Sequence, residues 1–300
     1  MDISVVVPTL NARDQLTGCL DALTDHAPGA ELIVVNGPSS DGTTGMVRDR
    51  DDVDVLVELA DRRIATARNA GIDRASGDVV AFVDHTAAVT EGWHGAIERA
   101  LDSAAVATGP TVSQADGDDG VTGPESRTIA GRHVSYFNPG NVAFDRAVLD
   151  ELDGYDEYLE IGASRDLAHR IAGRSYEVGW SDGMELRRTV GTDGGERRTD
   201  WSWKYRSLAY RLVKNYSVRP TVFRRLVSHA GGDCLTELQA VSRGDTRPSE
   251  WLGTGKNVLA NMAAGLKEGF GARRRDRTSR RNPSGRSART DRAVAIYDWR

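Results

Sequence analysis

The sequence predicts an α/β fold, a mostly parallel sheet with helices on both faces, followed by a helical C-terminal extension. Three observations carry this. Short Val/Ile-rich runs recur through residues 1–110, single amphipathic segments separate them, and after residue 200 the apolar pattern changes to helical spacing. Unbroken apolar strands suit a sheet buried on both sides.

Taken in order, Ile3–Val7 is a buried-type strand, and Ala12–Leu23 is a helix with Leu16, Leu20 and Leu23 on one face. A strand follows over 31–35, a helix over 43–49, a strand over Val53–Val57 and a helix over Ile64–Ala75. Strand Val79–Val83, helix Gly92–Leu101 and strand Ala104–Thr108 complete the regular part. Residues 114–131 read as a polar, Gly-rich and mobile loop. The stretch 132–190 is less regular and carries Asn138-Pro139-Gly140-Asn141 and Gly154-Tyr155-Asp156-Glu157.

Tyr205, Leu208, Leu212, Val213 and Tyr216 repeat at helical spacing, and Pro220 opens another helix. Trp251, Leu252, Val258, Leu259, Met262, Leu266 and Phe270 form one apolar stripe, expected to face a core rather than a membrane. From 271 the chain is rich in Arg, Ser, Thr and Asn and reads as disordered, ending in Ala293–Trp299, which could dock as a short strand.

The chain holds 44 acidic and 39 basic residues, unevenly placed. From Lys267 onward 11 basic residues face 4 acidic ones, so the body carries −12 and the tail +7. An acidic body disfavours nucleic-acid binding. Only Lys204, Lys214, Lys256 and Lys267 are lysines, and Asp greatly outnumbers Glu. Such a surface suits a salt-rich cytoplasm, because short hydrated carboxylates keep a protein soluble there. GC-rich codon usage is the other explanation for Arg in place of Lys. Cys19 and Cys234 lie far apart, without metal-ligand spacing, and are expected to be free thiols. No apolar run approaches the roughly 20 residues that span a bilayer. The expected place is the cytoplasm, with peripheral association to the cytoplasmic face of the membrane.

The most informative stretch is Glu31 to Thr43, an apolar strand that opens into Asn36-Gly37-Pro38-Ser39-Ser40-Asp41-Gly42. A strand ending in such a turn presents backbone N–H groups and short polar side chains at the mouth of an open sheet, where α/β proteins hold nucleotides. Three further segments share its context. They are Ser4-Val5-Val6-Val7-Pro8-Thr9-Leu10-Asn11, Ala67-Arg68-Asn69-Ala70-Gly71 running on to Gly77-Asp78 and Phe82-Val83-Asp84, and Gly154-Tyr155-Asp156-Glu157 with Asp166-Leu167-Ala168-His169-Arg170-Ile171.

In order and spacing these four segments resemble family 2 glycosyltransferases, inverting nucleotide-sugar enzymes of the GT-A fold. The resemblance implies a nucleotide-sugar-binding half over 1–110 and an acceptor-binding half over 111–190. Beyond these lie a helical extension over 191–270 and the basic tail over 271–300. It implies a donor pocket shaped by Pro8, Thr9, Asn11, Asn36, Ser39, Asp41, Arg68 and Asn69. Asp84 would anchor the diphosphate and a divalent cation, Mg²⁺ or Mn²⁺. Asp166, with His169 and Arg170, would shape the acceptor side, and Asn138–Asn141 the sugar site.

Two departures stand out. The family's Asp-x-Asp is Asp84-His85-Thr86 here, so the second carboxylate is a neutral, weaker ligand and metal dependence stays open. Where the family places its catalytic carboxylate the chain has Ala163 and Ser164. Asp166 is retained, but two residues on, roughly 200° around a helix, and Glu160 is a weaker candidate. Two readings follow. Either the acceptor is already ionised, as a lipid phosphate is, or the protein has lost catalysis and binds glycan, lipid or a protein partner as a scaffold. The expected partners are a nucleotide-sugar donor and a lipid-linked (polyprenyl or dolichyl phosphate) or glycan acceptor in cell-surface or N-linked glycan assembly. In molar salt the Debye length falls to about 3 Å, so apolar contacts would outweigh the Arg273–Arg275 charges at a membrane. A sugar nucleotidyltransferase is disfavoured by the missing Gly-x-Gly-x-Arg loop after the first strand, and a dinucleotide dehydrogenase by the missing Gly-x-Gly-x-x-Gly.

Overall fold

The computed structural model describes residues 1–113, 120–188, 201–222, 224–228, 248–276 and 282–300. Its centre is an eight-stranded sheet. The parallel run comprises β1 (Ile3–Thr9), β2 (Glu31–Asn36), β3 (Val55–Leu59) and β4 (Val79–Val83), joined by α1 (Arg13–His26), α2 (Thr43–Arg48) and α3 (Ile64–Arg74). Period-two alternation divides the strand side chains between two cores. Val5 and Val7 pack with Leu16, Leu20 and the α4 (Trp93–Leu101) residues Trp93 and Ile97. Val6, Ile33, Val35 and Val57 pack on the opposite face, beneath α3.

A short three-stranded sheet, made by β5 (Ala87–Val89) with two later strands, sits at the rim. β6 (Val106–Thr108) then extends the main sheet, and β7 (Thr111–Ser113) enters the small one. β8 (Glu125–Ile129) and β9 (Arg132–Tyr136) form a hairpin. Here the expectation of a loop over 114–131 is corrected for 125–129. Glu125, Ser126, Arg127 and Thr128 have mostly exposed side chains, so the strand is held by ladder bonds to β9 without an apolar run to announce it. Residues 114–119 lie outside the described residues.

β10 (Asn141–Asp145) runs antiparallel between β4 and β6, followed by α5 (Arg146–Leu152) and α6 (Ala163–Gly173). β11 (Val178–Trp180) closes one edge beside β6, and β12 (Leu186–Arg188) joins β5 and β7. The helical extension is α7 (Trp201–Tyr216) with α8 (Pro248–Arg275). The two approach closely because Gly265 and Gly269 have no Cβ to strike the α7 backbone at Arg206 and Tyr210. Met262 of the expected stripe is buried and Val258 and Leu266 pack against the core, whereas Leu259 and Phe270 are exposed. The side chains of Trp251 and Leu252 lie outside the described residues, as does Cys234; Cys19 is a free, buried thiol.

The tail departs from the disorder expected of it. β13 (Ala293–Asp298) pairs antiparallel with β3, as the short docking strand, and Trp299 N donates to Asp54 O at 2.9 Å. Before it, Arg292 Nε meets Glu157 at 2.5 Å, Arg286 Nη2 meets Asp150 at 2.7 Å, and Arg289 Nε meets Glu157 at 3.0 Å. Residues that read as a solvated basic end are neutralised by the acidic body. Residues 277–281 lie outside the described residues.

Gly71 fixes how closely α3 lies on β1, because a Cβ there would overlap Val6 Cγ1. Gly71→Ala is expected to lower stability by about 1–3 kcal/mol through overpacking, read as a fall in the denaturant midpoint at unchanged m-value.

Candidate functional site

Because β1, β2 and β4 are parallel, Thr9, Asn36 and Asp84 reach the same carboxyl edge of the sheet. The turns after β1 and β2 are laced together there. Ser39 Oγ accepts from Asn11 N at 2.8 Å and donates to Asn36 Oδ1 at 2.7 Å; Asn11 Oδ1 accepts from Ser40 N at 2.8 Å. Asn11 takes a left-handed φ of 50°, which its short amide tolerates. Asn36 Nδ2 donates to Thr44 Oγ1 at 2.9 Å. Asp41 accepts from Arg13 N at 3.0 Å and Thr43 N at 3.1 Å, holding the starts of α1 and α2. Burial raises the Asp41 pKa, but these bonds and that from the Thr43 hydroxyl outweigh it and hold the carboxyl below its ordinary value. Asn11, Asn36 and Ser39 are thus tied to one another at this edge, and Asp41 holds the two helix starts beside them. Thr9 is different: its hydroxyl is buried at this edge with no hydrogen-bond partner among the described residues. The Pro8 carbonyl lies 3.1 Å from His85 Nδ1; a carbonyl only accepts, so that nitrogen carries the proton.

Asp84 follows the end of β4 with its side chain 43% exposed. Its Oδ1 accepts from Thr86 N at 3.0 Å and Thr86 Oγ1 at 2.9 Å. Its N–H donates to Gly140 O at 2.9 Å, and a Cβ on Gly140 would come within 2.9 Å of the Asp84 Cβ. Burial pushes the Asp84 carboxyl up, but His85, the two Thr86 bonds and Arg188 together hold it below its ordinary value, so it is ionised. Arg188 reaches Asp84 because β12 pairs with β5, bringing Arg188 opposite Ala87. Nothing in the sequence near Asp84 signals this cation. The Thr86 hydroxyl is turned to Asp84, and no cluster of three His, Cys, Asp or Glu suited to a metal occurs among the described residues. The donor set fits a hard divalent cation only as a single-carboxylate anchor, the remaining ligands coming from phosphate oxygens and water.

Arg68 links the first turn of α6 to the turn before β10. Its Nη1 donates to Ser164 Oγ at 3.0 Å and its Nη2 to Pro139 O at 2.8 Å, with the guanidinium over Phe82 and Tyr155. Asn69 does not reach the cleft, contrary to expectation. It is fully buried, with Nδ2 donating to Tyr155 O at 2.9 Å and Glu157 Oε1 at 2.7 Å, and Oδ1 accepting from Tyr155 N at 2.8 Å. Asn138 and Asn141 are likewise spent inside. Asn138 Nδ2 donates to Thr111 Oγ1 at 2.8 Å, and Asn141 Nδ2 to Pro110 O at 2.9 Å. Only the turn between them, at Gly140, touches Asp84.

Asp166 is also placed otherwise than expected. It is fully buried, with Oδ2 2.8 Å from Arg170 Nε and 2.9 Å from Lys214 Nζ, and Oδ1 2.8 Å from Asn215 Nδ2. Lys214 also meets Asp156 at 2.5 Å, and the Tyr210 hydroxyl donates to Asp156 at 2.8 Å. Two carboxylates and two cations form a neutral, closed cluster. Burial raises the Asp166 pKa, yet Lys214 and Arg170 drive it far below the carboxylate range. Such a group is a poor proton acceptor and is walled off from substrate. Arg170 further donates to Leu152 O and Gly154 O, serving this cluster rather than an open face. His169 is buried against the Tyr216 hydroxyl at 2.9 Å; burial and the Arg211 charge lower its pKa to about 3.

Lys214→Met leaves two buried carboxylates with one cation and is expected to cost about 3–5 kcal/mol, measured by denaturant unfolding. His169 gives a pH signature. Between pH 6.5 and about 3 the unfolded chain takes up a proton that the folded imidazole refuses. Stability therefore falls with falling pH, by up to about 1.4 kcal/mol per unit. His169→Gln should flatten the upper part of that slope, above the range where carboxylates titrate.

Residues 4–152 match the model of "Glycosyl transferase family 2". Glycosyltransferase AglE of Haloferax volcanii is 30% identical over 143 residues, spanning 45% of this chain and 45% of AglE. Glycosyltransferase GlyA of Streptococcus pneumoniae is 33% identical over 86 residues, spanning 27% of this chain and 12% of GlyA. The matches thus cover less than half the length of either relative. Among solved structures, S. aureus TarS 1–349 in complex with UDP-GlcNAc superposes with a TM-score of 0.63 at 15% identity, over 92% of each chain. The mannosyltransferase PcManGT from Pyrobaculum calidifontis, in complex with GDP-Man and Mn²⁺, gives 0.54 at 18% identity, over 92% of this chain and 88% of that one. With this family match over residues 4–152, which include Asp84, and with solved glycosyltransferases sharing its fold, the chain carries a glycosyl transferase family 2 domain.

Proposed function

We propose that the protein transfers a sugar from a nucleotide diphosphate donor to a lipid-linked or glycan acceptor, with inversion at the anomeric carbon. The observation that carries this is Asp84: an ionised carboxylate, half-exposed at the carboxyl edge of the sheet and oriented by Thr86 and Gly140. In this reading the edge tied together by Asn11, Asn36 and Ser39 seats the nucleotide, and the Thr9 hydroxyl gains its partner from it. Asp84, with Arg188 nearby, holds the diphosphate end. A divalent cation bound on Asp84 would supply positive charge to the leaving diphosphate. TarS and PcManGT, whose complexes contain UDP-GlcNAc and GDP-Man, support a nucleotide-sugar donor.

The acceptor oxygen attacks the anomeric carbon as the bond from that carbon to the diphosphate oxygen breaks, and the electron pair leaves with the diphosphate. No carboxylate stands at 163 or 164, and Asp166 is sealed in its ion cluster. An acceptor whose nucleophilic oxygen is already ionised, such as a lipid phosphate, fits this arrangement because it has no proton to give up. The donor half is then 1–110, the acceptor half 111–190, and assembly of a cell-surface or N-linked glycan the setting. An Asp-rich, Lys-poor composition and a relative in Haloferax volcanii support a salt-rich cytoplasm. No helix among the described residues is long and apolar enough to cross a membrane, and exposed Leu259 and Phe270 on α8 are candidates for peripheral contact. The missing catalytic carboxylate also favours a second reading, a family member that binds without turning over.

Titration of uridine, guanosine and thymidine diphosphates and their sugars, in molar KCl with Mg²⁺, Mn²⁺ or EDTA, separates the two. Base-selective binding is expected, and Asp84→Ala should weaken it about tenfold or more, ~1.4 kcal/mol, with loss of turnover. Absence of nucleotide binding in every series would leave the binding-scaffold reading.

A further inference from the structure

Beside the N-terminus of α6 lies a second charged site, outside the donor cleft. Arg127 of β8, Arg165 of α6, Arg211 of α7 and Arg225 of the 224–228 segment line a cavity of about 250 Å³ with Tyr136 and His169. The one carboxylate among its described lining residues, Glu125, is bonded to Arg165 at 2.8 and 2.7 Å and to Arg127 at 3.3 Å. His169 contributes no charge near neutral pH. Four guanidiniums thus face one carboxylate.

Arg211 is the most exposed to this imbalance. Its Nη1 lies against Gly162, where a Cβ would come within 2.6 Å; Gly162 has a φ of +81° and begins α6 without a side-chain cap. Its Nε is buried without a hydrogen-bond partner among the described residues. Burial, with repulsion from Arg165 and Arg225, pulls the Arg211 pKa down to about 10, and Tyr136 and Asp166 offset this only in part. A guanidinium held in such a place calls for an anion, since an orphaned buried donor costs about 1–3 kcal/mol. The cavity shares Arg127, Ile129 and Arg225 with a larger groove of about 940 Å³, which adds Pro220, Arg219 and Arg224.

Arg68 ties this place to the donor side. Ser164, two residues past Gly162, bonds Arg68, which also holds Pro139, the neighbour of the Gly140 that packs on Asp84. We propose that the pocket of Arg165, Arg211 and Arg225 binds a phosphate or diphosphate group of the acceptor, with the adjoining groove taking the rest of that molecule. This rests on the transferase reading for its role, though not for its chemistry. Guanidiniums are suited to phosphate because their donor pairs match its oxygens.

The test uses the full chain and calorimetric titration with inorganic pyrophosphate, farnesyl phosphate and farnesol, alongside a nucleotide diphosphate. Pyrophosphate or farnesyl phosphate is expected to bind, and Arg211→Gln and Arg225→Gln each to weaken that binding about tenfold or more while nucleotide affinity stays within about twofold. Arg225 is only half-buried, so that variant keeps the test usable where Arg211→Gln lowers the melting temperature. Binding of farnesyl phosphate alone identifies a lipid source, and binding of pyrophosphate alone a soluble one. Farnesol binding as well as farnesyl phosphate, or variants that weaken phosphate and nucleotide alike, would overturn the proposal. Nucleotide binding without phosphate binding overturns this site and spares the donor reading; phosphate binding without nucleotide binding does the reverse.

Discussion

The buried quartet of Asp156, Asp166, Arg170 and Lys214 is the constraint around which the second half of the molecule is arranged. It joins the loop after α5, the first and second turns of α6, the last turn of α7 and, through Asn282, the C-terminal segment. Ion pairs cut off from water gain little net stability unless every oxygen and proton is satisfied. Here Asn215, Tyr210 and the carbonyls of Leu152 and Gly154 complete the set. The demand for simultaneous satisfaction specifies where each of these elements can sit. The N-terminus of α6, which borders both the Arg68 bridge and the arginine pocket, inherits its position from this quartet.

Polar residues near the cleft divide by burial. Asn69, Asn138 and Asn141 have their amides consumed by backbone and side-chain partners inside the protein, and each stitches a turn to a strand or helix. Asp84 and Thr9 are the ones at the sheet edge with chemistry left over, a half-exposed charge and an orphaned hydroxyl. The scaffold is dense in amides so that its rim can present few reactive groups with fixed geometry.

How far this was legible from sequence follows the range of the interactions. The strand–helix alternation of residues 3–108 is local, and the apolar runs reported it with boundaries shifted by only a residue or two in most elements. The position of Asp84, just past an apolar strand, was legible for the same reason, while the role expected of it came from the family resemblance. β8 was not, since its side chains are largely exposed, and neither was the antiparallel insertion of β10 between β4 and β6, which depends on pairing across the chain. Asp166 illustrates the limit most directly. Its motif spacing suggested a reactive carboxylate, while the residue that disarms it, Lys214, comes from a different helix 48 positions away. Arg188 and Arg211 acquire their meaning in the same way, through strand pairing and helix packing that no short window contains.

Strand β13 carries a consequence for how the protein comes to exist. It covers β3, the last strand on its side of the sheet, yet it is made long after β3 has left the ribosome. Until then β3 offers an unpaired row of amides and carbonyls, the kind of edge that recruits foreign strands. With β13 in place that row is paired, so the parallel run of the sheet has no open border at β3. The arginines that precede β13 fasten it there through Asp61, Asp73, Asp150 and Glu157.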